Sequence, residues 1–189
     1  MSKFFQPSLP HSLRQANAIG GGFDGAEDGG VVSSYVLEVN GEITTTLLVN
    51  IDDLVDSGTV KDIIGENGVA AAYLTRITTA TNGLIYKAEI ACVETPAGSN
   101  AATDIDLVAN TAALAEDVAY DSSGNNTALI PATAAWEAGM WRQSAVGLDM
   151  ADMVNAYLYL VNGTGANSGG TYTAGKFIIK LYGVATFGS

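Results

Sequence analysis

One cysteine, one histidine and four prolines are all that 189 residues contain of those types, and only eight side chains are cationic against 20 acids. A lone Cys92 excludes an intrachain disulfide and a cysteine metal cluster, so any disulfide would have to join two chains. His11 stands between Pro10 and Ser12 near the N-terminus, where a Ser-His-Asp or Cys-His catalytic group would have to recruit it far from an organised pocket. A formal charge of −12 repels a phosphate backbone over most of the surface, so no nucleic-acid partner is expected. No segment offers the roughly 20 uncharged apolar residues that cross a bilayer as a helix. The first residues also lack the continuous apolar stretch of a secretory signal. The expectation is a soluble chain, not Sec-exported, with no membrane partner and no cofactor.

Hydrophobic residues make up 48% of the chain and charged ones 15%, with 22 glycines, which suits one globular core rather than a disordered or collagen-like chain. The charge is unevenly placed. Lys3 and Arg14 give residues 1–23 a charge of +2, while the rest of the chain holds six cations against all 20 acids, or −14. The N-terminal stretch carries Phe4, Phe5, Pro7, Pro10 and then glycines 20, 21, 22, 25, 29 and 30. Residues 1–30 therefore read as an extended arm with a Gly-rich connector, and residues 31–189 as the folded domain. Those glycines precede a strand and enclose Glu27 and Asp28, so a flexible connector fits them better than a phosphate-binding loop.

Alternation marks the strands. Val31 to Val39 places Val31, Tyr35, Leu37 and Val39 on one face, Asn40-Gly41 supplies a tight hairpin turn, and Glu42 to Ile51 returns with Ile43, Leu47, Val49 and Ile51 apolar. Asp52 to Ala72 reads as a loop with a helical turn near Val60–Ile64. Tyr73 to Thr79, a turn at Thr81-Asn82-Gly83, and Leu84 to Glu94 read as a second hairpin. In its return strand Leu84, Tyr86, Ala88, Ile90 and Cys92 share a face, which places Cys92 in the core. Asp104 to Val108 is a further strand, Thr111 to Val118 fits helix or strand, and Asp121 to Asn126 is a turn cluster. Ala132 to Gln143 has helical spacing between Trp136, Met140 and Trp141, weakened by Gly139. Ala156 to Val161 is a strand, Asn162 to Gly175 a long loop, and Lys176 to Phe187 the last strand, with Phe177, Ile179 and Leu181 inward. About eight strands with few intervening helices imply an all-β, antiparallel β-sandwich, jelly-roll-like, with an Ig-like sandwich as the other topology.

Three groups of residues invite a chemical reading. Asp52, Asp53 and Asp56 cluster in a loop and Asp104 and Asp106 share a strand face, which fits either a calcium site or a solvated acidic surface; neither group has EF-hand spacing, and no metal is expected. Trp136 and Trp141 suit a sugar-binding platform or packing. Tyr157 and Tyr159 alternate with Leu158 and Leu160, so that strand is buried on both faces, inside a sandwich or against another subunit. None of these assembles catalytic equipment, and the chain reads as a non-enzyme.

The segments Asn82-Gly83-Leu84-Ile85-Tyr86-Lys87 and Tyr172 to Gly183 resemble segments of small virion structural proteins of tailed bacteriophages, marine ones in particular. That resemblance implies a capsid decoration (cement) protein or a related head or fibre component on the capsid surface, commonly a trimer. Its expected partners are the major capsid protein and neighbouring protomers. The arm is not part of the resemblance. On its own chemistry it suits anchoring, with Phe4, Phe5, Leu9, Leu13 and Ile19 as apolar contacts and Lys3 and Arg14 meeting acidic partner surface. The other reading is a receptor- or glycan-binding head domain of a tail fibre or spike, using the Asn162–Gly175 loop and the tryptophans.

Overall fold

A computed structural model describes residues 30–131, 134–145, 148, 153–165 and 168–185. The arm residues Lys3, Phe4, Phe5, Leu9, Leu13, Arg14 and Ile19 lie outside the described residues. The elements, in chain order, are β1 (Gly30–Val39), β2 (Glu42–Asn50), β3 (Val55–Asp56), β4 (Thr75–Arg76), α1 (Thr79–Asn82), β5 (Leu84–Gly98), β6 (Ile105–Asn110), β7 (Asn126–Ile130), β8 (Trp141–Gln143), β9 (Tyr157–Asn162) and β10 (Gly170–Val184). They form two antiparallel sheets. The larger runs β1-β2-β10-β5-β8, with β3 also paired to β10, and the smaller runs β4-β9-β6-β7. The fold is an all-β sandwich.

The first hairpin follows from its turn. Asn40 (φ 53°) and Gly41 (φ 82°) are both left-handed, the type I′ geometry whose twist matches that of the flanking strands. The core fills the space between the sheets. Leu47, Val49, Ile90, Phe177, Ile179 and Leu181 of the larger sheet meet Ile105, Leu107, Ala109, Leu158 and Leu160 of the smaller. Each fully buried aliphatic side chain contributes about 1.5–3 kcal/mol, so this layer dominates the stability. Trp136 is 1% exposed, packs edge-on to Phe177 at 5.6 Å, and donates its indole N–H to the Ile105 carbonyl at 2.7 Å.

Several expectations need correction. The second hairpin does not form: β4 pairs with β9 in the smaller sheet, whereas β5 joins the larger. Local hydrogen bonds turn the chain between them. The Thr78 hydroxyl accepts from the Thr81 N–H, the Asn82 side-chain carbonyl accepts from the Thr78 N–H, and Gly83 (φ 70°) ends the resulting turn of helix. The Gly83 position has no room for a side chain, since an added Cβ would run into the Val184 carbonyl. No helical turn forms near Val60–Ile64; Asp62 bridges to Ala119 and Ile63 to Val161 instead. Thr111 to Val118 is neither helix nor strand, and the described part of Ala132 to Gln143 is an irregular segment ending in β8. β10 begins at Gly170, inside the segment expected to be loop, and ends at Val184.

Two facings also differ. In β1 it is Val36 that is buried, while Tyr35 and Val39 are exposed, because both phases of this strand carry apolar residues and alternation alone does not choose between them. In β5 the pairing with β10 steps from Lys87 opposite Tyr182 to Ile85 opposite Gly183. That irregularity puts Ile85 inside and leaves Tyr86 out.

Candidate functional site

The smaller sheet is covered on both sides. Its outer residues Val108, Tyr159 and Val161 pack under Ile63 and Ala72 of the long connection between β3 and β4 and under Leu114 of the connection between β6 and β7. The Tyr159 hydroxyl accepts from the Leu114 N–H at 2.9 Å and donates to the Ala112 carbonyl at 2.8 Å. Burial pushes that phenol up to about 12. The double-sided burial expected of the Tyr157 strand is therefore supplied by the chain's own loops.

The larger sheet differs: its outer face has no such loops among the described residues. Pairing register builds a stripe across it, Leu48 beside Ile178, Ile178 beside Ala91, and Ala91 beside Trp141. Leu48, Ile178 and Ala91 are half-buried, and Trp141 is 53% exposed. Ile178 separates two shallow depressions. One, of about 140 Å³, is lined by Glu89, Ala91, Trp141 and Lys180 as well; the other, of about 240 Å³, by Leu48, Val93, Lys176 and Phe177 among others. Tyr35, Val39, Tyr86, Val93, Trp141 and Val184 are the exposed large hydrophobics among the described residues, and all six lie on strands of this sheet.

Charge on this face balances. Lys87 meets Glu89 at 2.5 Å, Lys176 meets Glu94 at 2.7 Å, and the Tyr86 hydroxyl donates to Glu42 at 2.8 Å. Glu89 also accepts from the Tyr182 hydroxyl at 2.7 Å, and the Lys87 ammonium sits 5.0 Å over the Tyr182 ring. Burial raises the Glu89 carboxyl, but the Lys87 and Tyr182 hydrogen bonds outweigh it and hold the group below its ordinary range. Burial, then the bond to Glu89, pushes the Tyr182 phenol up to about 12. Three lysines, 87, 176 and 180, thus answer three glutamates, 42, 89 and 94, on a protein whose total charge is −12. The net negative charge of the domain is carried elsewhere.

The other candidate groups separate. Asp52 is half-buried, Asp53 exposed and Asp56 buried. Asp56 is a structural clamp, accepting from the Gly58 N–H at 2.7 Å, from the Ala102 N–H at 2.6 Å and from the Asn162 side-chain amide. Asp104 accepts from the Thr164 N–H at 3.0 Å and so fastens the loop after β9. Among the described residues no group of three or more His, Cys, Asp and Glu side chains is placed to hold a metal ion. Trp136 and Trp141 do not form a platform together, since one is core and the other surface. Cys92 lies in the core as expected, and burial raises its thiol above the ordinary value. The stripe was not expected, because its four members come from four strands and only the register brings them together. No family model, curated protein or solved structure matches this chain.

Proposed function

We propose that this is a non-enzymatic structural protein of a phage virion, a capsid decoration or cement protein that seats the outer face of its larger sheet on the head shell. The observation that carries the reading is the contrast between that charge-balanced face, with its Leu48–Ile178–Ala91–Trp141 stripe, and the acidic remainder of the domain. An apolar patch with few net charges is the composition of a contact surface, while a strongly acidic exterior keeps a densely displayed protein soluble. Residues 1–23, with +2 charge and the apolar side chains Phe4, Phe5, Leu9, Leu13 and Ile19, extend the contact as an anchor on the shell or a neighbouring protomer. The resemblance of the two segments to virion proteins supports the same assignment.

Quantitative mass spectrometry of the virion that carries it tests this reading. Hundreds of copies per particle are expected, falling sharply when residues 1–22 are deleted from a body that still folds. A few tens of copies, or occupancy unchanged by the deletion, would contradict it. One observation favours a second reading, a glycan-binding fibre head: the exposed Trp141 indole borders a depression flanked by Glu89 and Lys180. The low copy number belongs to that alternative.

A further inference from the structure

β1 is an edge strand of ten residues, Gly30–Val39, paired only to β2 among the described residues. Its free edge can be assigned residue by residue. A two-residue type I′ turn closes on a hydrogen-bonded pair, here Val39 and Glu42, and the alternation of an antiparallel ladder then directs the backbone groups of Leu37 and Tyr35 toward β2. The N–H and C=O groups of Ser34, Val36 and Glu38 face away from the sheet. Natural proteins protect such edges with lysine, proline, an inward charge or a short strand. β1 has no lysine, arginine or proline, its one charged residue, Glu38, stands on the Val36 face only at the hairpin end, and its irregularity lies at its start, between Val31 and Ser33. Beyond that point an uninterrupted run from Ser33 to Val39 presents exposed Tyr35 and Val39 beside the free edge.

We propose that two copies of this chain pair antiparallel through the free edges of β1, about a twofold axis at Val36, joining their larger sheets into one. The strand is self-complementary in that register. Val36 exchanges both of its backbone hydrogen bonds with its counterpart. Tyr35 lies across from Leu37 of the partner subunit on the outer face, an aromatic–aliphatic cross-strand pair. Glu38, the only charged residue of β1, lies across from Ser34 of the partner subunit, so the two carboxylates never face each other. A second copy is favoured over this chain's own residues 1–23 as the occupant, because Pro7 and Pro10 interrupt the first half of that segment, and Ala16, Asn17, Ala18 and then Gly20 to Gly22 make the second half a poor strand. It is favoured over an unrelated strand because the match is built from one sequence. The joined sheets carry their apolar stripes on one continuous outer face. The pairing itself does not depend on a shell and occurs in the isolated protein; a twofold contact gives a dimer rather than the trimer that the resemblance implies.

Sedimentation velocity on the full chain, combined with amide hydrogen exchange, tests the pairing. A dimer is expected, with the amides of Ser34, Val36 and Glu38 protected. Ser34→Pro removes an outward donor without touching the β1–β2 ladder, and should give a monomer in which the Val36 and Glu38 amides exchange at least tenfold faster. Tyr35→Lys, which puts a charge at the exposed edge, should give the same monomer by an independent route should the proline variant fail to fold. A monomeric or trimeric wild type, or a dimer that persists in Tyr35→Lys with Val36 and Glu38 still protected, would overturn the proposal. So would protection of those amides in a monomer.

Discussion

The two sheets of this sandwich are treated differently by the same chain. The smaller sheet sends long connections back over its own outer face, burying Val108, Tyr159 and Val161 beneath Ile63, Ala72 and Leu114 and satisfying the Tyr159 hydroxyl at both its donor and acceptor sites. The larger sheet has an apolar stripe of similar character and no loop to cover it among the described residues. Among the described residues one face is covered by the chain's own connections and the other is bare with its charges balanced, and that difference is what the proposed contact role of the bare face rests on.

The tryptophans give the largest test of this contrast. Trp136→Ala empties a packed site between Phe177 and the Ile105 carbonyl and should cost about 3–5 kcal/mol in urea unfolding. Trp141→Ala should change the stability of the isolated protein by less than about 1 kcal/mol. Comparable losses at the two positions would erase the distinction between the faces. A smaller effect follows at the tyrosines. Tyr159→Phe leaves the Leu114 N–H without its acceptor and should cost about 1–3 kcal/mol, whereas Tyr182→Phe, on the open face beside a Glu89 that keeps its Lys87 partner, should cost less than about 1 kcal/mol.

Alkaline pH sharpens the same comparison. Tyr159 is held protonated up to about 12 by burial, above the ordinary value near 10 of an unfolded tyrosine. Its contribution is therefore complete below pH about 10 and is lost as the pH rises from there toward 12, because the unfolded chain releases its proton first. The melting temperature should be flat near neutrality and fall above pH about 10, and the fall should be shallower in Tyr159→Phe. The smallest effect concerns Glu116, on the connection that covers the smaller sheet. Burial and then the neighbouring Asp117 raise its carboxyl, while the Gly68 N–H donates to it at 3.1 Å. A raised carboxyl gains stability as the pH falls through its folded value, so its charged form is unfavourable at neutral pH. Glu116→Gln keeps an acceptor for Gly68 and should raise the melting temperature by about 1–2 °C at pH 7, with the gain vanishing near pH 4.

The fold class was legible in the alternating segments, and the first hairpin in Asn40-Gly41, because a type I′ turn imposes a demand that few dipeptides meet. The core position of Cys92 and the inward Phe177, Ile179 and Leu181 followed from alternation alone. Local pattern was not enough where a hydrogen-bonded turn redirected the chain, as Thr78 and Asn82 do between β4 and β5. It also failed where both phases of a strand were apolar, as with Tyr35 and Val36. The candidate contact face was the least legible part. Leu48, Ala91, Trp141 and Ile178 are scattered over 131 positions of the sequence, and only the register of β2, β10, β5 and β8 aligns them.

The most direct test of the contact face is hydroxyl-radical footprinting of the isolated protein against the same protein in the virion that carries it. In the isolated protein Trp141, Val93 and Ile178 should be oxidised and Trp136 and Tyr159 protected. In the virion, oxidation of Trp141, Val93 and Ile178 should drop several-fold while the acidic exterior around Asp53 and Asp121 stays equally reactive. Unchanged oxidation of Trp141 and Ile178, with protection appearing on the acidic exterior instead, would contradict the assignment of the larger sheet as the face that meets the shell.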